Sequence, residues 1–141
     1  MIISRDVPKA LKITAPAHAS AICVNLLKCG QESDLQKEHF WVLGCRADNT
    51  VAYIELVTLG TLNNTLVHPR EVYRQAIIES AAGIICVHNH PSGNLTPSDA
   101  DITLTTQLKQ AGDIIGIKLM DSIIISYNPP QYISMSDEGY V

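Results

Sequence analysis

The stretch GIICVHNHPSGNLTPSDADITLTTQLKQAG, residues 83–112, decides the fold of this chain. It begins with an apolar run that closes on His88 and is typical of a strand buried on both faces of a sheet. Residues 89–98 are rich in Pro, Gly, Ser and Asn, which predicts a loop. A helix is predicted from about Asp99 onward, ending at Gly112. The stretch therefore predicts a strand, a loop and a helix in succession.

Further strands and helices are predicted on both sides of this stretch. Before it the patterns predict a helix over 17–29, strands over 40–45 and 51–59 that pair as a hairpin, and a helix over 71–82. After it they predict strands over 115–120 and 122–127, split near Asp121, and a short strand around Tyr132 and Ile133. Strands that alternate with helices favour a single α/β domain with a mixed sheet. We expect that domain to span residues 1–141, with its core at about 15–135.

The composition is that of a globular protein. Hydrophobic residues make up 46% of the 141 residues and charged residues 17%, so folding needs neither disulfides nor a structural metal. The net charge of -4 lacks the basic footprint of a dedicated nucleic-acid-binding domain, although a local patch around Arg70 and Arg74 stays open. The four cysteines form no C-x-x-C pair, and we expect them to be reduced. Neither a signal peptide nor a membrane-spanning stretch is recognised, so we expect a cytoplasmic protein.

Two histidines two residues apart close the central strand. Residues i and i+2 of a strand share a face, so His88 and His90 can point to one place. Asp101 lies early in the following helix, where a short loop can bring its carboxylate to the same place. Two imidazoles and one carboxylate leave tetrahedral Zn²⁺ an open position for water, whose pKa the metal lowers to about 7. The constellation predicts one catalytic-type metal ion, either zinc or another divalent cation.

Ordinary structural roles compete with this prediction. A histidine pair can be hydrogen-bonded at a loop mouth without any metal. Ser98 and Asp101 also form the S-x-x-D pattern of a capping box that opens a helix, and this role is compatible with a place beside a metal. His18 and His39 have no partner pattern and are predicted to lie on the surface.

The motif H-x-H-P-x6-S-x-x-D, with a glutamate well upstream, resembles the JAMM (JAB/MPN) metalloprotease motif. GTLNNTLVHPRE at 60–71 and HNHPSGNLTPSDADITLT at 88–105 narrow the resemblance to the RadC-like branch, over roughly residues 30–135. The resemblance implies a three-layer α/β/α fold with a mixed sheet, related to that of cytidine deaminases. It also implies zinc and hydrolysis of a peptide or isopeptide bond in a protein or peptide substrate. The H-x-E and P-C-x-x-C signature of the deaminases themselves is absent, as is HExxH.

The resemblance also implies roles for individual residues. His88, His90 and Asp101 correspond to the metal ligands, and Ser98 to the residue that stabilises the oxyanion. The catalytic glutamate of the family opens its first core strand, and Glu38 is the matching position.

A second glutamate competes for the role of the base. Glu71 lies in the tetrapeptide HPRE, which is itself a feature of the family, and the residues alone do not decide between Glu38 and Glu71. Arg70 beside it can pair with a carboxylate near the cleft.

Two departures from the family pattern affect the functional prediction. RadC-like proteins commonly have Asp-His where this chain has Asp121 and Ser122. Longer members also carry an N-terminal helix-hairpin-helix domain, for which we expect no room here, so direct nucleic-acid binding is doubtful. The alternative to a hydrolase is a non-catalytic accessory protein in DNA repair or recombination.

Overall fold

A six-stranded mixed sheet forms the middle layer of the fold. The computed structural model describes residues 2–4, 7–8, 11–30, 32–60 and 67–141. In chain order its elements are β1 (Ile2–Ser4), α1 (Pro16–Cys29), a 3₁₀ helix (Glu32–Gln36), β2 (Glu38–Cys45), β3 (Val51–Gly60), α2 (Pro69–Ile78), β4 (Gly83–Asn89), α3 (Asp99–Ile115), β5 (Lys118–Ser126) and β6 (Gln131–Ser134).

The strands lie in the order β1-β3-β2-β4-β5-β6. Strands β2 and β3 form the predicted antiparallel hairpin, and β4 lies antiparallel to β2 on its other side. Among the strands that the structure describes, only the neighbours β4 and β5 are parallel, and helix α3 makes the crossover between them. This βα unit, which the sequence of residues 83–112 predicted, carries the candidate site.

Helices cover both faces of the sheet, which confirms the predicted three-layer α/β/α architecture. On one face α1 packs against alternate strand residues such as Trp41, Leu43 and Val87. On the other face α2 and α3 pack against the intervening residues, including Phe40, Val42 and Cys86. Because strand side chains alternate between faces, the central strands are apolar throughout, as the sequence predicted.

The pairing of β2 with β4 determines where the site forms. Phe40 lies opposite His88 in the register, and their rings stack with centroids 5.9 Å apart. Glu38 is two residues from Phe40 and therefore belongs to the same face of β2. The start of β2 and the end of β4 thus place Glu38 and His88 on the face that α3 covers.

Helix α3 does not end at Gly112, as the sequence predicted. It continues to Ile115 and is capped by Gly116, whose φ of 77° is in the left-handed region. Gly112 is needed for close packing instead, because a Cβ there would meet the Ile117 carbonyl oxygen at 2.4 Å and the Tyr73 hydroxyl at 2.5 Å.

The predicted split of the fifth strand at Asp121 is also wrong. Strand β5 is continuous, and a register shift against Ile84 and Ile85 of β4 absorbs one extra residue. The buried Asp121 carboxylate accepts hydrogen bonds from the Ser122 and Ser136 backbone N–H groups and from the Ser134 hydroxyl. An acidic residue is therefore tolerated inside this strand, because donors from β5, from β6 and from the turn after β6 satisfy its carboxyl oxygens.

Two smaller expectations concern the helices and the cysteines. The second helix runs over Pro69–Ile78, so it starts earlier and ends earlier than the predicted 71–82. All four cysteines are free thiols. Across the described ranges, no helix combines the length and the apolar character that crossing a membrane requires.

Candidate metal centre

Three side chains meet where β4 ends and α3 begins. His88 belongs to β4, His90 follows its last residue, and Asp101 lies in the first turn of α3. Nε2 of His88 lies 3.2 Å from Oδ1 of Asp101, and Nε2 of His90 lies 3.1 Å from Oδ2. One ligand atom from each residue falls within 4.8 Å of the others. The chain therefore brings together the three residues that the motif singled out.

The hydrogen bonds of His90 fix which ring nitrogen faces the cluster. Its Nδ1 lies 2.7 Å from the backbone carbonyl of Asn94. A carbonyl can only accept, so Nδ1 carries a proton and Nε2 of the neutral ring presents a lone pair. Metal-ligating histidines are held in the same way by a backbone carbonyl behind the ring.

His88 is buried, and neither of its ring nitrogens has a hydrogen-bond partner among the described residues. Nε2 lies within ion-pair distance of Oδ1 of Asp101 but forms no hydrogen bond with it. A buried polar atom without a partner is costly. An imidazole nitrogen left unpaired beside a carboxylate is the arrangement that a bound cation satisfies.

Asp101 serves the helix and the cluster at the same time. Its Oδ2 accepts from the Ser98 backbone N–H at 2.9 Å, and its own N–H donates to the Ser98 hydroxyl at 3.1 Å, so the predicted capping box is present. Burial acts to raise the pKa of the Asp101 carboxyl, but the neighbouring imidazoles of His88 and His90 hold it well below its usual range. The carboxylate is therefore ionised and oriented by the helix start.

The pKa of His90 is shifted in the opposite direction. Burial acts to lower it, but the hydrogen bonds with Asp101 and with the Asn94 carbonyl outweigh burial and raise the pKa above its ordinary value. A proton on Nε2 of His90 is therefore stabilised by the Asp101 carboxylate.

The cluster lies in a cavity of about 640 Å³, a size that suits a small ligand or a few residues of a peptide. Glu38 and Ser98 line the same cavity as the three clustered residues. The Ser98 hydroxyl accepts from Asp101 and has no hydrogen-bond acceptor of its own among the described residues, so its proton is available to a ligand. Phe40, Val67 and Leu104 form apolar parts of the wall.

The second candidate glutamate lies elsewhere. Glu71 is in the first turn of α2, next to the exposed Arg70, and neither residue is among those that line the cavity. Of the two glutamates that the sequence left open, Glu38 is the one that the fold brings beside His90, whose pKa it helps to raise.

Sequence reasoning misplaced one residue of this region and missed another. His39 was expected on the surface, but it is only 8% exposed, stacks on Trp41 and lines the cavity. Burial lowers the pKa of its imidazole. Asn89, between the two histidines, was given no role, yet its buried side chain bonds to the start of β2. Its place inside the H-N-H motif was the available signal.

The residues present fit a divalent metal ion. Two imidazole nitrogens and a carboxylate oxygen are the ligands of catalytic zinc sites and leave one coordination position open. Other divalent ions accept the same ligands. The unpaired nitrogens of the buried His88 are the specific observation that favours a cation over a plain hydrogen-bonded cluster.

Comparison with known proteins gives a consistent result. The sequence profile of the RadC-like JAB domain family matches residues 13–140. A UPF0758 protein of Staphylococcus haemolyticus is 43% identical over 137 residues, which covers 97% of this chain and 57% of that protein. A UPF0758 protein of Methanospirillum hungatei is 43% identical over 134 residues, covering 93% of this chain and 56% of the relative.

A third relative shows that the similarity extends to other bacteria. A UPF0758 protein of Geobacillus kaustophilus is 49% identical over 107 residues, 76% of this chain and 46% of its own length. The chain thus spans about half the length of the curated relatives it matches. The names of these relatives carry no statement of activity.

Proposed function

Because the chain belongs to the RadC-like JAB domain family, we propose that it is a zinc-dependent hydrolase that cleaves an amide bond in a peptide or protein. The observation that supports this most is the convergence of His88, His90 and Asp101 in one cavity. The ordinary role of such an ion is to supply Lewis acidity and to lower the pKa of a coordinated water to about 7. The other steps fall to side chains of this chain.

Glu38 is the proposed general base and acid. It lies on the cavity wall beside His90, from where it takes a proton from the attacking water and passes it to the leaving amine. Ser98 donates a hydrogen bond from its hydroxyl to the oxyanion that develops on the scissile carbonyl. His90 is held by Asn94 and Asp101 by the helix cap, so both are oriented before a substrate arrives.

The charge of the cavity favours an uncharged bond over a phosphodiester. No lysine or arginine is among the described residues that line it. Proteins that bind nucleic acids neutralise phosphates with such side chains. The apolar and uncharged polar side chains in the cavity wall suit a peptide instead.

The experiment that tests the proposal uses an internally quenched random peptide library, and the chain is assayed metal-free and after Zn²⁺ is added. We expect cleavage with Zn²⁺ only, its loss in His90→Ala together with the metal, and its loss in Glu38→Gln with the metal retained.

Glu71→Gln is the matched control, because it makes the same chemical change outside the cavity. It should leave cleavage unchanged. Full activity of Glu38→Gln with lost activity of Glu71→Gln would reverse the assignment of the base. A zinc-loaded chain that cleaves no member of the library, or one that nicks duplex DNA instead, would contradict the proposed function.

A further inference from the structure

The ladder between β2 and β4 stops short of Glu38. The last paired residues are Phe40 and His88, two positions along β2 from Glu38. On its other side Glu38 pairs with Gly60 of β3. Glu38 therefore lies outside the regular pairing of β2 with β4.

Beyond the end of this pairing, the Asn89 side chain makes hydrogen bonds to the backbone on both sides of Glu38. Its Oδ1 accepts from the His39 N–H at 2.6 Å, and its Nδ2 donates to the Lys37 carbonyl at 3.0 Å. These two groups flank Glu38 on both sides. One amide side chain thus binds the carbonyl acceptor just before Glu38 and the N–H donor just after it.

Asn89 is itself held firmly. Its backbone belongs to β4 and is in register with Ile125 of the parallel strand β5. The residue is 3% exposed, so water does not compete for its amide. Because it lies between His88 and His90, the same residue is fixed to the metal centre through the main chain and to the Glu38 segment through its side chain.

The geometry points to Asn89 as a positioning residue that sets the place of Glu38 relative to His88 and His90. This inference rests on the proposed role of Glu38 and goes beyond it. A misplacement of about 1 Å can lower a rate about a hundredfold. Since β3 still holds the other side of Glu38, we expect a loss of about tenfold to a hundredfold when the Asn89 bridge is removed.

The test uses the full chain loaded with Co²⁺, whose visible spectrum responds to groups next to the ion. The variants are Glu38→Gln, Asn89→Leu and the double variant. Leucine has nearly the same shape as asparagine but forms no hydrogen bond. We expect Asn89→Leu to keep Co²⁺ affinity within about threefold, since the three ligands are unchanged, and to shift the spectrum in the same direction as Glu38→Gln.

The double variant distinguishes positioning from a general structural role. If Asn89 acts through Glu38, the double variant has the spectrum of Glu38→Gln alone, and kcat on any cleaved peptide shows the same lack of additivity. Hydrogen exchange of the His39 N–H, measured by NMR, should accelerate at least about tenfold in Asn89→Leu, as its partner is lost.

Thr50→Val is the matched control. It removes a part-buried side-chain hydrogen bond, from the Thr50 hydroxyl to Asp48, at the opposite end of the β2–β3 hairpin. It should leave the Co²⁺ spectrum and His39 exchange as in the unaltered chain. If Asn89→Leu does not fold, Asn89→Ser provides the same test, because the shorter side chain cannot bridge both groups.

The outcomes separate this inference from the proposed function. Additive spectral effects, or a large loss of Co²⁺ affinity in Asn89→Leu, would overturn the positioning role alone. Absence of Co²⁺ binding to the unaltered chain would overturn the metal centre and this inference with it. A non-additive spectrum in a chain that cleaves no peptide would uphold the positioning of Glu38 and contradict hydrolysis.

Discussion

Nε2 of His90 lies 3.1 Å from Oδ2 of Asp101. The Asn94 carbonyl behind the ring requires the proton of the neutral imidazole on Nδ1. Both facing atoms are then acceptors, and a proton or a metal ion must lie between them. The raised pKa of His90 and the predicted metal site are two consequences of this one contact.

Metal binding should compete with protonation of His90. Its pKa in the metal-free fold is raised above 6.5. At a pH below that raised value the ring is protonated and must lose a proton before it can bind metal. We expect Zn²⁺ affinity to fall about tenfold for each pH unit below the His90 pKa and to level off above it. Titration against a competing chelator between about pH 5 and 8 measures this.

The low pKa of Asp101 sets the limits of this pH dependence. The carboxyl stays ionised throughout that range, because its pKa is held below the ordinary 3.8. Asp101 therefore adds no further pH dependence to the Zn²⁺ affinity. An affinity that does not change over the range would contradict the proton competition.

The helix-capping role of the Ser98 hydroxyl can be tested separately from its proposed role in catalysis. Ser98→Ala removes the acceptor for the Asp101 N–H and should lower the free energy of unfolding by about 1 kcal/mol. Zn²⁺ binding should remain, since no ligand changes, while cleavage should fall by about 10²–10³ if the hydroxyl donates to the oxyanion. Ser98→Thr keeps the hydroxyl and is the control. Thermal unfolding identical for Ser98→Ala and the unaltered chain would refute the cap.

Gly112 should tolerate no larger residue. In Gly112→Ala the new methyl group overlaps the Ile117 carbonyl and the Tyr73 hydroxyl, at a cost of about 1–3 kcal/mol. This cost exceeds the gain of about 1 kcal/mol in helix propensity that alanine brings over glycine. Denaturant unfolding measures the difference.

Asp113→Ala, at the exposed neighbouring position, should change stability by less than about 0.5 kcal/mol. A Gly112→Ala variant that is more stable than the unaltered chain would show that helix propensity outweighs the packing of α3 on Tyr73.

Local patterns in the sequence were enough to predict the histidine cluster. His88 lies at the end of a recognisable buried strand, His90 follows that strand, and Asp101 belongs to a recognisable capping box. Their convergence needs only one strand, one loop and the first turn of one helix. Unbroken apolar runs such as 40–45 also predicted strands buried on both faces, whereas the three-layer architecture was implied by the family resemblance.

Long-range register accounts for what the sequence did not predict. The resemblance favoured Glu38 over Glu71, but the position of Glu38 near His88 follows only from the pairing of β2 with β4, which places Phe40 opposite His88. The burial of His39 and the bridge made by Asn89 depend on the same pairing. No local pattern near any of these residues specifies a partner about fifty positions away.

Two wrong boundaries have tertiary causes as well. Gly112 has the residue type of a helix end, but it is glycine because Tyr73 packs against it, and Gly116 takes the left-handed cap. Asp121 has the residue type of a strand break, but hydrogen bonds from Ser134 and Ser136 satisfy it inside β5. In both cases a distant contact decides the role of the residue.

Anomalous diffraction at the zinc edge, from crystals of the zinc-loaded chain, tests the central claim most directly. We predict a single peak in the cavity, about 2.0–2.2 Å from one nitrogen of His88, one nitrogen of His90 and one oxygen of Asp101. The peak should be absent in crystals of His90→Ala. A zinc-loaded crystal with no peak at these three residues, or with zinc held by other side chains, would contradict the account.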